Sequence, residues 1–511
     1  MRRSVARLVV ALLGISAASP WSIARAQAGA APAAVLPAPA AVDSLRAELA
    51  RVLASRDLRF ARFGFQLLEV GAQGKPNRVL LEHDADRGYM TASNMKLIAS
   101  AVALDVLGPE FVYTTRLVGR GKQLGAAFAG DLVLVGAGDP TFGARAFEPN
   151  GATAPFARMA KALRARGIEY VTGCVIGDDD VHPDEIMGLG WDWSYHADWY
   201  AAQVSGLCFN ENCIDLIFGG TRVGAPPTCK LDPETAYIEL VNHVRCVDRA
   251  SGDVVFSRGL GTNRIVVSGT LPVQTKAKRD WGSVHNPTLF AATVLREELM
   301  RRGVRVDGPA VDGDQLAGGS AATAQVVFYE HRSPSMRKIL ESLNKRSQNL
   351  YAEQVLRTAG RKLGGDGSMR SGAAAVRRVF AKFGIDTDGL VIADGSGLSR
   401  LNLVQPRQLT ALLAAFVHHE HAKLFLATLP VAGIDGTLRG RFPPGAPAHG
   451  RVLAKTGYIG RVVALSGYVP RRGDTPLAFS VLVNDFHAPT ARIKKLVDQL
   501  VNRIAALAGP N

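Results

Sequence analysis

A serine and a lysine three residues apart, in Ser93-Asn94-Met95-Lys96, stand at the head of an apolar run that continues to Leu107. On a helix this spacing projects the hydroxyl and the amine from one face, where they can share a proton. A lysine whose pKa is lowered by burial can take the proton of such a serine and make it a nucleophile. The helix start adds free N–H groups and a dipole that favours developing negative charge. The local pattern is not decisive, because Ser335-Met336-Arg337-Lys338 repeats it.

Two further groupings carry complementary chemistry. Lys455-Thr456-Gly457 offers a cation and a hydroxyl that can bind a carboxylate, and a glycine that lets a substrate backbone approach. Ser347-Gln348-Asn349 offers a hydroxyl to relay a proton and an amide to hold a peptide group. Taken singly, the first is an ordinary strand end and the second a helix cap. A rival copy of the second, Ser342-Leu343-Asn344, lies just upstream.

The order of the three groupings gives them meaning. Serine-x-x-lysine, serine-x-asparagine and lysine-threonine-glycine in that sequence form a set closely related to that of β-lactamases and penicillin-binding proteins. Ser335 lies twelve residues before Ser347 in a helical segment, hence roughly 18 Å away, too far to share a proton with it. Ser93, distant in sequence, is free to be folded alongside.

The elements that position these groups read as an α+β chain. Asp43 to Leu53 has a helical pattern, and Gly64 to Val70 with Arg78 to Glu82 reads as a hairpin. Helices are expected at Ala92 to Leu107, Ser335 to Leu343, Asn349 to Thr358 and Gly372 to Phe383. Strands are expected at Val452 to Lys455, Val463 to Val469 and Leu477 to Asn484, followed by a helix from Pro489 to Leu507. Phe111 to Thr323 differs in character, with strands such as Asp131 to Val135 and Arg264 to Ser268, frequent Gly and Pro, and every cysteine. It reads as a mostly β insertion into the catalytic core. The last helix has one apolar face from Ile493 to Leu507, which suits packing on the sheet better than lying on a membrane.

Composition sets the compartment and narrows the partners. The 511 residues are 47% apolar, enough for several domains with large cores. Arg2, Arg3 and Arg7 precede the apolar run Leu8 to Ala18, and Ala24-Arg25-Ala26 offers a cleavage site, so residues 1–26 read as a signal peptide. Residues 27–42 read as an Ala/Pro linker. Removal of the signal lowers the formal charge from +15 to +11. Export to a periplasm leaves little access to DNA, so nucleic acid is not an expected partner despite the basic charge, and membrane contact is at most peripheral. Disulfides can persist there, and Cys208 with Cys213 and Cys229 with Cys246 are the expected pairs, leaving Cys174. A zinc site lacks the required cysteine and histidine spacing.

The chain resembles the low-molecular-mass class C penicillin-binding proteins, the D-alanyl-D-alanine carboxypeptidases/endopeptidases of peptidase family S13. The resemblance rests on Ala92 to Leu97, Gly136-Ala137-Gly138-Asp139-Pro140-Thr141, Asp394-Gly395-Ser396-Gly397-Leu398-Ser399-Arg400, Ala432 to Leu438 and Ala464 to Tyr468, together with the three motifs. It covers about Leu45 to Ala506, and the 254 residues separating Ser93 from Ser347 match the family's long insertion. It implies a β-lactamase/transpeptidase-like core, an antiparallel sheet flanked by helices, formed by 43–112 and 324–511. The inserted region 113–323 would hold a nested domain at about 210–262.

The resemblance further implies Ser93, Lys96, Ser347, Asn349 and Lys455 as catalytic residues. Thr456, Gly457, Tyr458 and Arg400 would bind substrate, with no metal or cofactor. Peptidoglycan stem peptides and cross-links would be substrates, and β-lactams would acylate Ser93. A β-lactamase or esterase on the same core is the alternative. Three residues depart from the family: Gln348 where Asp is usual, Thr91 for a common Pro, and Tyr458 for a small residue, which would narrow the cleft. The acid expected to hold the peptide's amino group is replaced by Ser194, leaving Asp192 and Asp198 as substitutes. Asp394 to Gly397 looks superficially like a chymotrypsin-type serine motif, and Gly136 to Gly138 like a dinucleotide loop. The first lacks a histidine partner, and in the second Asp139-Pro140 stands where phosphate and a helix start should be.

Overall fold

The computed structural model describes residues 39–316, 326–471 and 474–509. The expected signal peptide and most of the linker lie outside the described residues, as does the domain boundary at 323–324.

The two ends of the chain build one five-stranded antiparallel sheet, in the order Leu453–Ile459, Val462–Arg471, Asp474–Asn484, Arg62–Glu69, Arg78–His83. Alternation along Arg62–Glu69 sends Phe63, Phe65 and Leu67 to one face and Leu68 to the other, each into a separate core. The first face is covered by the helices Pro39–Leu53 and Thr490–Leu507. Ile493, Val497, Leu500, Val501 and Ile504 of the last helix are fully buried there, each worth about 1.5–3 kcal/mol by area. That settles its apolar face as sheet packing. The first helix starts at Pro39, four residues before the expected Asp43, with a proline in the first turn, where its missing N–H is not needed.

The second face is covered by the helices Met95–Val106, Met336–Arg346, Asn349–Lys362, Met369–Lys382 and Pro406–Val417. Between Val106 and Met336 the chain makes a separate core around Thr114–Leu124, Ala127–Val135 and the helices Ala154–Ala165 and Pro287–Arg301. Two smaller sheets hang on it. One pairs Cys213–Gly219 with Thr228–Asp232 and Lys278–Ser283; the other gathers around Arg264–Pro272. These pairings run on to Ser283, past the expected nested boundary at about 262, because the closing strands come from the far side of that boundary.

The expected disulfides are a further correction, since all five cysteines are thiols. The Cys208 sulfur donates to Ser205 O at 3.3 Å and accepts from Gln354 Nε2 at 3.0 Å. Cys246 accepts from the Thr221 backbone N–H at 3.4 Å. No described helix is long and apolar enough to cross a membrane.

Candidate active site

Ser93 lies in a short 3-10 turn, Ala92–Asn94, that runs directly into the helix Met95–Val106. Ala92 has a left-handed backbone, φ 43°, a conformation that costs a non-glycine residue about 1–2 kcal/mol. The helix is buried from Met95 to Leu104, so Lys96 is fully enclosed. Its Nζ lies 2.9 Å from Ser93 Oγ, 2.6 Å from Asn349 Oδ1 and 2.7 Å from the Ser396 carbonyl oxygen. Three acceptors match the three hydrogens of an ammonium. Burial nevertheless lowers the Lys96 pKa to about 7, opposed by the negative charges of Asp394 and Glu353. An amine poised there is a base at neutral pH.

Ser347 and Asn349 come from the junction between Met336–Arg346 and Asn349–Lys362, where Ser347 takes a left-handed φ of 61° to end the first helix. Ser347 Oγ accepts from Lys455 Nζ at 2.8 Å. Asn349 accepts from Lys96 and donates to the Tyr200 carbonyl at 2.6 Å. Lys455 is fully buried, and burial with the nearby Lys96 charge pushes its pKa well below the usual lysine value. The rival serines are placed elsewhere. Ser335 caps the far end of the Met336–Arg346 helix, and Asn344 is tied beneath it to Ser100 and Thr428.

Lys455 and its neighbours lie on the edge strand Leu453–Ile459. Gly457 is there for close approach, since a Cβ would sit 2.6 Å from the Thr91 carbonyl oxygen, beside the turn that carries Ser93. Beyond an isolated bridge between Val431 and Leu453, no described strand pairs with the outer side of this edge, which is suited to an extended peptide. Thr456 Oγ1 donates to Thr437 Oγ1 at 2.8 Å on the exposed side. The Tyr458 ring, 54% exposed, lies 4.9 Å from Lys494 Nζ of the last helix. That helix covers the sheet face opposite the one bearing Lys455, and the ring leaves the strand on that side.

Arg400 donates to the Gly460 carbonyl at 2.8 Å, at the end of the same strand. Its charge helps hold the exposed Asp192 carboxyl below the usual range, after the hydrogen bonds that Asp192 accepts from Ser194. Asp198 instead accepts from Tyr200 Oη at 2.7 Å.

The sequence profile of the D-Ala-D-Ala carboxypeptidase 3 (S13) family matches residues 45–507. The chain belongs to peptidase family S13. A D-alanyl-D-alanine carboxypeptidase of an Actinomadura species is 32% identical over 498 residues, 94% of this chain and 88% of the relative. The D-alanyl-D-alanine carboxypeptidase DacB of Haemophilus influenzae is 25% identical over 430 residues, covering 80% of this chain and 83% of its own. The crystal structure of penicillin binding protein 4 from Haemophilus influenzae shares the fold, with a TM-score of 0.74 and 22% identity, covering 91% of this chain and 98% of that one. This S13 protein is therefore a serine-type D-Ala-D-Ala carboxypeptidase.

Sequence reasoning missed several groups that support the S13 centre. Glu353 is fully buried and accepts the backbone N–H groups of Gly395 and Ser396 at 3.1 and 2.9 Å. It stands four residues after Asn349, one helical turn on, which was the available signal. Burial, then the Asp394 charge, raises its pKa to about 7. The Asp394 to Ser399 turn is a scaffold for the Ser396 carbonyl. Asp394 accepts from Trp191 Nε1, the Gly397 and Ser399 N–H groups and Asn402 Nδ2, between 2.6 and 2.8 Å. Gly397, at φ +83°, leaves no room for a Cβ, which would fall 1.8 Å from the Ala92 carbonyl oxygen. Gly397→Ala is expected to lose more than about 2 kcal/mol in chemical denaturation, from left-handed strain plus displacement of the Ala92 turn. Acylation of the remaining folded enzyme should be slowed as well.

Proposed function

We propose that Ser93 is the acylated nucleophile, with Lys96 as its base, Ser347 as proton relay, and Lys455 with Thr456 as the site for the substrate's terminal carboxylate. The observation that carries this reading is the continuous chain Ser93–Lys96–Asn349 with Lys455 closing on Ser347. Lys96 takes the hydroxyl proton as Ser93 Oγ bonds to the carbonyl carbon of a D-Ala-D-X peptide. The oxyanion settles on the N–H groups of Ser93 and Tyr458, a contribution of about 3–4 kcal/mol for one donor. Collapse breaks the C–N bond, and Ser347 relays the proton held by Lys96 to the leaving amine, which leaves Lys96 neutral again. Water then hydrolyses the ester, returning the enzyme. Asn349 holds the peptide backbone.

Carboxypeptidase and endopeptidase action differ only in the leaving amine, a free D-amino acid or a cross-linked side chain. Arg400 and Asp192 form the pocket for the peptide's amino-bearing side chain; the charge interaction between them favours Asp192 over Asp198. The enzyme works in the periplasm on peptidoglycan peptides, with residues 43–112 and 324–511 as the catalytic domain. Penicillins acylate Ser93 and leave slowly.

Incubation with benzylpenicillin followed by peptide mass spectrometry should place the adduct on Ser93. Mass spectrometry of muropeptides after digestion should show loss of terminal D-Ala, split cross-links, or both. Rapid penicillin turnover with neither product would establish the β-lactamase alternative instead.

A further inference from the structure

The middle residue of Ser347-Gln348-Asn349 faces away from the cleft. Ser347 and Asn349 reach Lys455 and Lys96, whereas Gln348, only 7% exposed, turns toward the insertion. There Gln348 Nε2 lies 3.2 Å from both carboxylate oxygens of Glu211. Tyr351 Oη donates to the same carboxylate at 2.9 Å, and Arg145 Nη2 stands 3.7 Å from it. We propose that Glu211, carried by the insertion, is a positioning residue for the Ser347–Asn349 turn, with Gln348 and Glu211 a matched donor and acceptor. The proposal rests on the reading of Ser347 and Asn349 given above.

The backbone under Glu211 supports this. Asn210, Glu211 and Asn212 are three consecutive left-handed residues, with φ of 49°, 58° and 55°. Asparagine enters that region readily, but glutamate does not. The flanking asparagines lock the turn: Asn210 Nδ2 donates to Cys213 O at 2.9 Å, and Asn212 Nδ2 donates to Gln203 O at 2.8 Å. The strained turn thus presents a 7% exposed carboxylate to a second strained residue, Ser347, through Gln348. Because residues 347 to 349 are consecutive, a clamp on the middle side chain sets the direction of the other two.

The pairing also accounts for the departure at 348. A carboxylate only accepts hydrogen bonds, and the glutamine amide supplies donors. The aspartate usual in the family would set a second buried carboxylate against Glu211 with nothing to donate. Gln348 and Glu211 are therefore coupled positions in this chain.

The test is the rate constant for acylation of Ser93 by benzylpenicillin in the full-length enzyme, with melting temperature measured in parallel. Gln348→Asp is expected to slow acylation at least roughly 30-fold, the scale of a small misplacement of reacting groups. The inverted pair, Gln348→Asp with Glu211→Gln, restores the donor and should return to within about fivefold of wild type. Unchanged acylation in Gln348→Asp, or an inverted pair no faster than that single variant, would overturn the proposal. If Gln348→Asp does not fold, folding of the inverted pair supports the coupling, and failure of both overturns it. Wild-type enzyme that is not acylated at Ser93 would refute the proposed reaction instead, so the two failures are distinguishable.

Discussion

Lys96→Ala is expected to slow acylation of Ser93 by on the order of 10³- to 10⁴-fold, the upper range for removal of a general base. The amine is the only titratable group bonded to Ser93 Oγ among the described residues. Lys96→Arg should be nearly as slow. A guanidinium keeps the charge but does not release its proton in a protein, so the variant separates basicity from charge. The sign of the pH dependence follows from the lowered pKa. Neutral Lys96 is the base, so acylation should climb as pH rises through about 7. Glu353 also titrates near 7, and Glu353→Gln assigns the limb. Losing that negative charge removes a stabiliser of the Lys96 ammonium, so a limb belonging to Lys96 moves to lower pH. Stopped-flow acylation across pH for wild type and the three variants measures all of this.

Lys455→Ala is expected to cost about 2–5 kcal/mol in kcat/KM for substrates with a free terminal carboxylate, the range for removing one member of a buried hydrogen-bonded charge pair. Two losses combine. The carboxylate has no cation, and Ser347 Oγ has no donor at 2.8 Å to orient it. The second loss is felt by every substrate, the first only by acids. Amidating the peptide's C-terminus should therefore hurt the wild type strongly and Lys455→Ala little. On the alkaline side, wild-type activity should fall as Lys455 loses its proton, at a pH below the usual lysine range. That limb should be absent from Lys455→Ala. Equal sensitivity of both enzymes to amidation would remove Lys455 from the carboxylate site.

The proton balance between the two lysines gives these predictions a common origin. Both are fully buried, and the charge of Lys96 lowers the Lys455 pKa, so the cleft disfavours two ammonium groups together. In the proposed mechanism, a substrate carboxylate beside Lys455 would tip the balance, keeping that lysine charged and leaving Lys96 neutral. Binding of the correct peptide would thereby help to prepare the base.

Much of the candidate site was legible in residue types and order. Ser93 and Lys96 are one helical turn apart, Ser347 and Asn349 share a turn, and Lys455 to Gly457 share a strand, so each motif is a local pattern with a local cause. The sheet was legible for the same reason, through alternation in Phe63 to Leu68 and in the strands after Leu453. Helix length alone ruled out Ser335 as the partner of Ser347.

Tertiary structure decided everything that joins distant segments. The Lys96 bonds to Asn349 and Ser396 span 253 and 300 residues, and the bond from Lys455 to Ser347 spans 108. No periodicity records such contacts, because they depend on packing rather than on neighbours in the chain. The same holds for the turn of the Tyr458 ring toward Lys494, and for the Cys208 and Cys246 thiols, which bond to Ser205 and Thr221 instead of to Cys213 and Cys229. Ser93 could be chosen from order and spacing. That Lys96 is buried, with its pKa lowered to about 7 against the charges of Asp394 and Glu353, follows only from the fold that closes around it.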